Sequence, residues 1–327
     1  MKKTISVMGV VLFVMAIMLP TTVSAADTIN INYVTMFVRM HNISKVLQGD
    51  FQDIEKQSNG RLKFNYRGGP EAIKVFDQAM AIRSGAVDMA MTSPHFYGKM
   101  VKGMEMLDLS KTPVYRQRET GLYDFMNSKF NKVGIQFLIM APKEQGTMYH
   151  MYTKKPINSP AAFKGMSIAG TSIFDAIAPA LGMTAVNMLF TEQYSGMERG
   201  VVDVARGGLD SVMAMKLYEV ADYIIKPGFG SAPACLFMNL EKFNSLPKDL
   251  QVLLVDSLYS LAQQSEKKHM AMDDAAFQAC QKKGMRVIEF KGAERDYYLK
   301  TIEDAMYQYA AKDDPETAQK VYELTHK

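Results

Sequence analysis

GMTAVNMLFTEQYSGMERGVVDVARGG, residues 182–208, is the stretch whose reading decides the fold. Thr184 to Met188 alternates like a short strand, Thr191 is placed to cap a helix ending near Arg199, Gly200 fits a left-handed stop, and Val201 to Ala205 reads as a second strand. A similar strand, helix, strand unit occurs about 115 residues earlier. There Leu62 to Arg67 leads through Gly69-Pro70-Glu71 into a helix ending near Arg83, and Gly85-Ala86-Val87-Asp88 echoes Gly200-Val201-Val202-Asp203. Two copies so far apart predict two similar α/β lobes rather than a short-period repeat array. The cleft between such lobes is the expected ligand site.

Working outward, Ile29 to Met36 reads as a first strand and Asn42 to Asn59 as an amphipathic helix that Gly60 stops. Thr92-Ser93-Pro94 follows the strand after Asp88, at the carboxyl end where doubly wound sheets bind ligands. Arg116 to Lys132 reads as a helix, Gly134 to Met140 as a strand leaving the first lobe and Tyr149 to Thr153 as one entering the second. A helix is expected from Leu209 to Tyr223, and Ala234 to Asn239 then reads as a strand returning to the first lobe. From Pro247 neither Gly nor Pro recurs until Gly284, so one helix of about 37 residues is expected, long enough to lie along both lobes. Met285 to Phe290 predicts a last strand, with closing helices from Gly292 to Lys312 and Pro315 to His326. The expected organisation is a signal segment over 1–26, a first lobe from 27–148 and 235–265, and a second from 149–234 and 266–327.

Of 327 residues, 48% are hydrophobic and 22% charged, the balance of a chain that buries a real core. Formal net charge is +4, two units of it from Lys2 and Lys3, which calls for no nucleic-acid partner. Lys2-Lys3, an apolar run from Ile5 to Leu19 and the exit Val23-Ser24-Ala25-Ala26 have the order of a secretory signal, predicting cleavage after Ala25 or Ala26. The run is short of the roughly 20 residues that span a bilayer. Export allows Cys235 and Cys280 to pair, but their apolar settings favour two buried free thiols. Neither CxxC nor HExxH occurs, and the five His are scattered, so no metal site, cofactor or catalytic constellation is expected.

Lys154-Lys155-Pro156-Ile157, Phe163-Lys164-Gly165, Ala180-Leu181-Gly182, and Phe190-Thr191-Glu192-Gln193-Tyr194 through Gly200-Val201-Val202-Asp203 are similar in kind and spacing to the extracytoplasmic solute-binding proteins of tripartite ATP-independent periplasmic (TRAP) transporters. The resemblance covers nearly the whole chain after the signal. It implies a two-lobed periplasmic binding protein with two similar α/β domains, crossing strands and a long helix spanning both lobes. It further implies a monomer that closes over a small organic acid and delivers it to membrane permease subunits. The chain departs from the family where a carboxylate-binding arginine is usual, since Ala169 stands there. Tyr149 falls about where a second arginine often lies, and Val204-Ala205-Arg206-Gly207 replaces the usual Gly-Gln-Glu-Asn.

Those departures select the candidate ligand residues. Arg206, at a strand's carboxyl end before Gly207-Gly208, is the expected substitute clamp, with Arg39 the second choice; a solvated arginine is the plain alternative for each. Glu71 is read as opening a helix, where its charge suits the helix dipole, or as a partner for an ammonium or hydroxyl. Tyr149, Phe190 and Phe174 offer an aromatic wall, or simply core. Ser93 and Ser172 could donate hydrogen bonds, with capping as the alternative for Ser172. A less cationic, more aromatic cleft predicts a monocarboxylate with a bulky, aromatic body, such as an aromatic amino acid or a related keto or acetic acid, and poor binding of succinate. A branched or hydroxylated aliphatic acid fits the same residues. A ligand-presenting sensor and a secreted enzyme are the other classes weighed.

Overall fold

The computed structural model describes residues 28–98, 100–113, 116–140, 148–170, 173–231 and 233–326. It contains two sheets. The first is built from β1 (Ile29–Thr35), β2 (Leu62–Gly68), β3 (Met89–Thr92), β4 (Ile135–Met140) and β10 (Cys235–Asn239), in the order β2-β1-β3-β10-β4. The second takes β5 (Met148–Thr153), β6 (Ser167–Gly170), β7 (Thr184–Asn187), β8 (Val204–Gly207), β9 (Tyr223–Ser231) and β11 (Arg286–Glu289), in the order β11-β9-β5-β8-β6-β7. Reversed, the second order matches the first strand for strand: β7-β6-β8-β5-β9 against β2-β1-β3-β10-β4. In each, a parallel trio is flanked by an antiparallel strand, β10 beside β3 and β5 beside β8. The chain therefore crosses between sheets after β4, after β9 and again after β10.

The echo between Gly85 and Gly200 has a physical basis. Both glycines turn at positive φ, 75° and 70°, where a side chain would be strained. Three residues on, Asp88 receives the Asn32 backbone N–H at 2.7 Å, and Asp203 receives that of Ser167 at 2.9 Å. The backbone N–H groups of the two aspartates donate in turn to the Asn32 and Ser167 carbonyls. Each aspartate thus ties the strand it precedes to the central strand of its trio, fixing register before the strand begins. For this reason β8 starts at Val204, later than the Val201 expected from the apolar pattern.

The helices are α1 (Asn42–Gln57), α2 (Gln78–Arg83), α3 (Leu122–Phe130), α4 (Phe174–Ala180), α5 (Gln193–Glu198), α6 (Leu209–Ala214), α7 (Leu240–Ser245), α8 (Lys248–Lys282), α9 (Gly292–Ala311) and α10 (Pro315–Thr325). The long helix is α8, of 35 residues. Its first half puts Leu250, Leu254, Leu258 and Tyr259 into the core with Ile31 and Leu236, while Ala276, Phe277 and Cys280 pack with Leu209 and Val212 of α6. One helix thus supports both sheets. Cys235 and Cys280 are buried free thiols in separate clusters.

Three readings need correction. The expected helix through Tyr223 ends at Ala214, and Tyr223–Ser231 is instead β9, a strand whose Pro227, Gly228 and Gly230 read as punctuation. Thr191 is no cap: the turn Phe190–Glu192 begins after Leu189, whose N–H donates to the Glu192 carboxylate at 2.8 Å. The helix expected after Glu71 starts only near Val75, through a 3-10 turn into α2.

Candidate functional site

The carboxyl end of β8 gathers the most chemically distinctive group. Arg206 is partly buried, its backbone N–H donates to Gln193 Oε1 at 2.8 Å, and its Nε is enclosed with no hydrogen-bond partner. Its guanidinium lies 4.5 Å from the Phe174 ring centre and 5.5 Å from that of Tyr149. Two ring faces on a desolvated guanidinium hold it by cation–π attraction, about 2 kcal/mol or more when water is excluded. Burial lowers the arginine's pKa, opposed by its electrostatic interactions with Tyr149 and Asp108. Among the described residues the guanidinium makes no salt bridge, and a carboxylate would satisfy both its charge and its fork of donors.

The neighbouring residues fix this geometry. Tyr149 packs against Phe174 at 5.5 Å and Phe229 at 6.1 Å, making an aromatic wall on β5, α4 and β9. Tyr152, three residues along β5, donates its hydroxyl to the Gly207 carbonyl at 2.8 Å, pinning the end of β8. Gly207 has φ 150°, and a Cβ there would lie 2.6 Å from Phe190 Cε2, so the Phe190 ring rests directly on the backbone beside Arg206. Gln193 is wholly buried, its Nε2 without a hydrogen-bond partner. It stands as far before Asp203 as the equally buried Gln78 stands before Asp88. Next to Tyr149, His150 is buried with Nδ1 3.1 Å from the Ile225 carbonyl, and burial pushes its pKa down.

The 3-10 turn Met104–Leu109 reaches this wall from the first sheet's side. It packs against β9, α9 and α10. Asp108 within it is only 1% exposed, and a Cβ on Gly230 would sit 3.3 Å from the Asp108 carbonyl oxygen.

Among the residues named from the sequence, Tyr149, Phe174, Phe190 and Arg206 come together. Arg39, Glu71 and Ser93 follow β1, β2 and β3 and so share the carboxyl edge of the first sheet. Arg39 is exposed over the Tyr66 ring at 5.5 Å. Glu71 is exposed in a tight turn, its Oε1 taking the Gly69 N–H at 2.7 Å. Ser93 is buried, its carbonyl accepting the Phe96 N–H. Ser172 lies outside the described residues. Ala169 is wholly buried in the core with Val186 and Ala205. Sequence reasoning passed over Asp108, Gln193, Tyr152 and Phe229. Only Gln193 carried a signal, its spacing shared with Gln78.

Residues 47–313 match the bacterial extracellular solute-binding protein family 7, the DctP family. The chain belongs to that family. Its solute-binding relatives include a solute-binding protein of Albidiferax ferrireducens, 26% identical with 82% of each chain covered. The 2,3-diketo-L-gulonate-binding periplasmic protein YiaO of Escherichia coli is 23% identical, covering 72% of this chain and 73% of its own. A TRAP periplasmic solute-binding protein of Desulfovibrio salexigens, solved with bound orotic acid, superposes with a TM-score of 0.78 at 19% identity, covering 90% of this chain and 97% of that one. The two-lobed TRAP-type fold expected from the sequence is the fold observed. Among the described residues, no helix of this family 7 protein is long and apolar enough to cross a membrane.

Proposed function

We propose that this family 7 protein is the periplasmic subunit of a TRAP transporter, and that it captures an acid with an aromatic body in the interlobe cleft and delivers it to the membrane permease. The observation that carries the reading is Arg206, a desolvated guanidinium between the Tyr149 and Phe174 rings at the carboxyl end of β8. The cation meets one carboxylate, and the rings of Tyr149, Phe174 and Phe190 cover the body. The Desulfovibrio relative supports it, since orotic acid is a planar ring bearing one carboxylate. Delivery needs no covalent chemistry: a ligand that favours closed lobes shifts the population by its differential affinity, and the permease selects the closed form.

Thermal-shift and calorimetric titrations with phenylpyruvate, indole-3-acetate and succinate test the ligand class. The aromatic acids are expected to raise the melting temperature and bind at micromolar Kd, with succinate at least tenfold weaker. Tight succinate binding with no response to either aromatic acid would remove the aromatic reading. The chain has no Trp, so an indole ligand supplies its own fluorescence signal on binding.

The reading also requires export. Mass spectrometry of the mature protein is expected to show a chain starting at Ala26 or Asp27. An intact amino terminus on protein recovered from the periplasm contradicts it.

A further inference from the structure

Gln78 and Gln193 open matching helices: each is the first residue of its helix, directly after a 3-10 turn, and each is wholly buried. Each amide fastens to a strand end at the crevice where the order of its sheet reverses, Gln78 to β1 beside β3 and Gln193 to β8 beside β6. Doubly wound sheets take their ligands at such crevices. The two amides are used in opposite senses. Gln78 Nε2 donates to the Thr35 carbonyl at 2.9 Å and to the Ile73 carbonyl at 3.1 Å, leaving its own oxygen unpartnered. Gln193 accepts the Arg206 backbone N–H through Oε1 at 2.8 Å, which fixes the orientation of the amide and leaves Nε2 with no partner. A buried carbonyl oxygen with a spare lone pair is tolerated better than an unanswered N–H.

That unanswered donor lies beside Arg206. Covalent geometry puts the amide nitrogen about 2.2 Å from Oε1, and so within roughly 5 Å of the Arg206 backbone nitrogen. Phe190, one turn before Gln193, rests its ring on Gly207, so both side chains lean on the same two residues at the end of β8. Arg206 Nε is likewise enclosed and unpartnered. One cationic and one neutral donor at a single strand end make a surplus of protons. A carboxylate brings two acceptor oxygens and no proton, whereas a hydroxyl or an amide brings a donor of its own.

We propose that Gln193 is a specificity-determining residue, its Nε2 donating to one carboxylate oxygen of the bound acid while the Arg206 guanidinium meets the other. The assignment rests on the proposed function and deepens it. Gln193 makes the charge contact directional and sets the plane of the carboxylate against the end of β8.

The Gln193 side-chain amide is the direct readout. In isotope-labelled protein, its N–H signals are the pair lost in Gln193→Glu. Saturation with phenylpyruvate or indole-3-acetate is expected to shift one of the two protons downfield and slow its exchange with water. Calorimetry supplies the second arm. Gln193→Glu keeps an acceptor for the Arg206 N–H but replaces the donor by a carboxylate, and should weaken both acids about a hundred-fold; Gln193→Met, close in volume and without a donor, should weaken them about tenfold. A merely structural role predicts the reverse order, since Gln193→Glu keeps the bond to β8 and Gln193→Met breaks it. Wild-type protein that binds an aromatic acid while the Gln193 amide signals stay in place overturns this assignment and leaves the proposed function standing. So does a Gln193→Glu protein that binds as tightly as wild type. Silence of the wild type toward both acids overturns the proposed function, and the assignment with it. Should neither variant fold, the wild-type amide signals, assigned through the backbone, decide alone.

Discussion

Arg206→Ala is expected to weaken binding of an aromatic acid about ten- to a hundred-fold while leaving the ligand-free protein no less stable. A guanidinium–carboxylate pair contributes about 1.5–3 kcal/mol, which sets the loss of affinity. Stability should not follow, because the side chain is desolvated, its Nε makes no hydrogen bond, and burial already presses its pKa down. Removing a cation in that state relieves a desolvation cost that offsets the lost contact with the Tyr149 and Phe174 rings. Titration calorimetry and a melting curve on the same preparation check both halves. Unchanged affinity would take Arg206 out of the site, and a large fall in melting temperature would make it a structural residue. Arg206→Lys should recover only part of the affinity, since an ammonium lacks the planar fork that stacks between rings and grips a carboxylate with two donors.

Arg206 was legible because its place was local: a strand's carboxyl end, two glycines after it, and a family position where another residue is usual. The fold was legible for similar reasons. Helix stops at glycine, proline at a first turn and alternation in short strands are properties of adjacent residues, and they located α8, α9, α10 and most strands within a residue or two. What escaped depends on distant partners. Pro227, Gly228 and Gly230 look like a loop, and only pairing with β5 and β11 makes Tyr223–Ser231 a strand. Asp203 appeared to belong to a strand, yet its carboxylate serves Ser167, 36 residues away. Asp108 gave no signal at all, because nothing about an acid amid methionines and leucines announces that it is buried. Glu71 was misread for the opposite reason: a common helix-opening pattern turned out to be a turn closed by its own carboxylate.

Phe237→Ala is expected to lower the stability of the first sheet without changing ligand affinity at the second sheet's site. Phe237 is wholly buried between Ala90 of β3 and Phe137 of β4. Its ring meets those of Tyr97 at 4.6 Å, Phe130 at 4.8 Å and Phe137 at 5.8 Å. Truncation removes the hub of that cluster and leaves a cavity that rigid neighbours on two strands cannot fill. The expected cost is about 3–5 kcal/mol. Against a total stability of about 5–15 kcal/mol, that is a large fraction. The melting temperature should fall by roughly 6–20 °C, at about 2–4 °C per kcal/mol for a chain of this size class. Phe237→Leu, which keeps most of the volume, should lose much less. The ring partners of Phe237 are Tyr97, Phe130 and Phe137 on the first sheet's side, so the affinity of the folded fraction for an aromatic acid should stay within about threefold of wild type below the melting transition. The two alanine variants therefore fail in opposite ways, one in affinity and the other in stability. A Phe237→Ala protein that melts with the wild type would mean that the cluster closes over the gap. One that melts normally but no longer binds would mean that β10 transmits its packing through the β9–β10 crossing into the cleft, and that the seam between the sheets, rather than either sheet, holds the site.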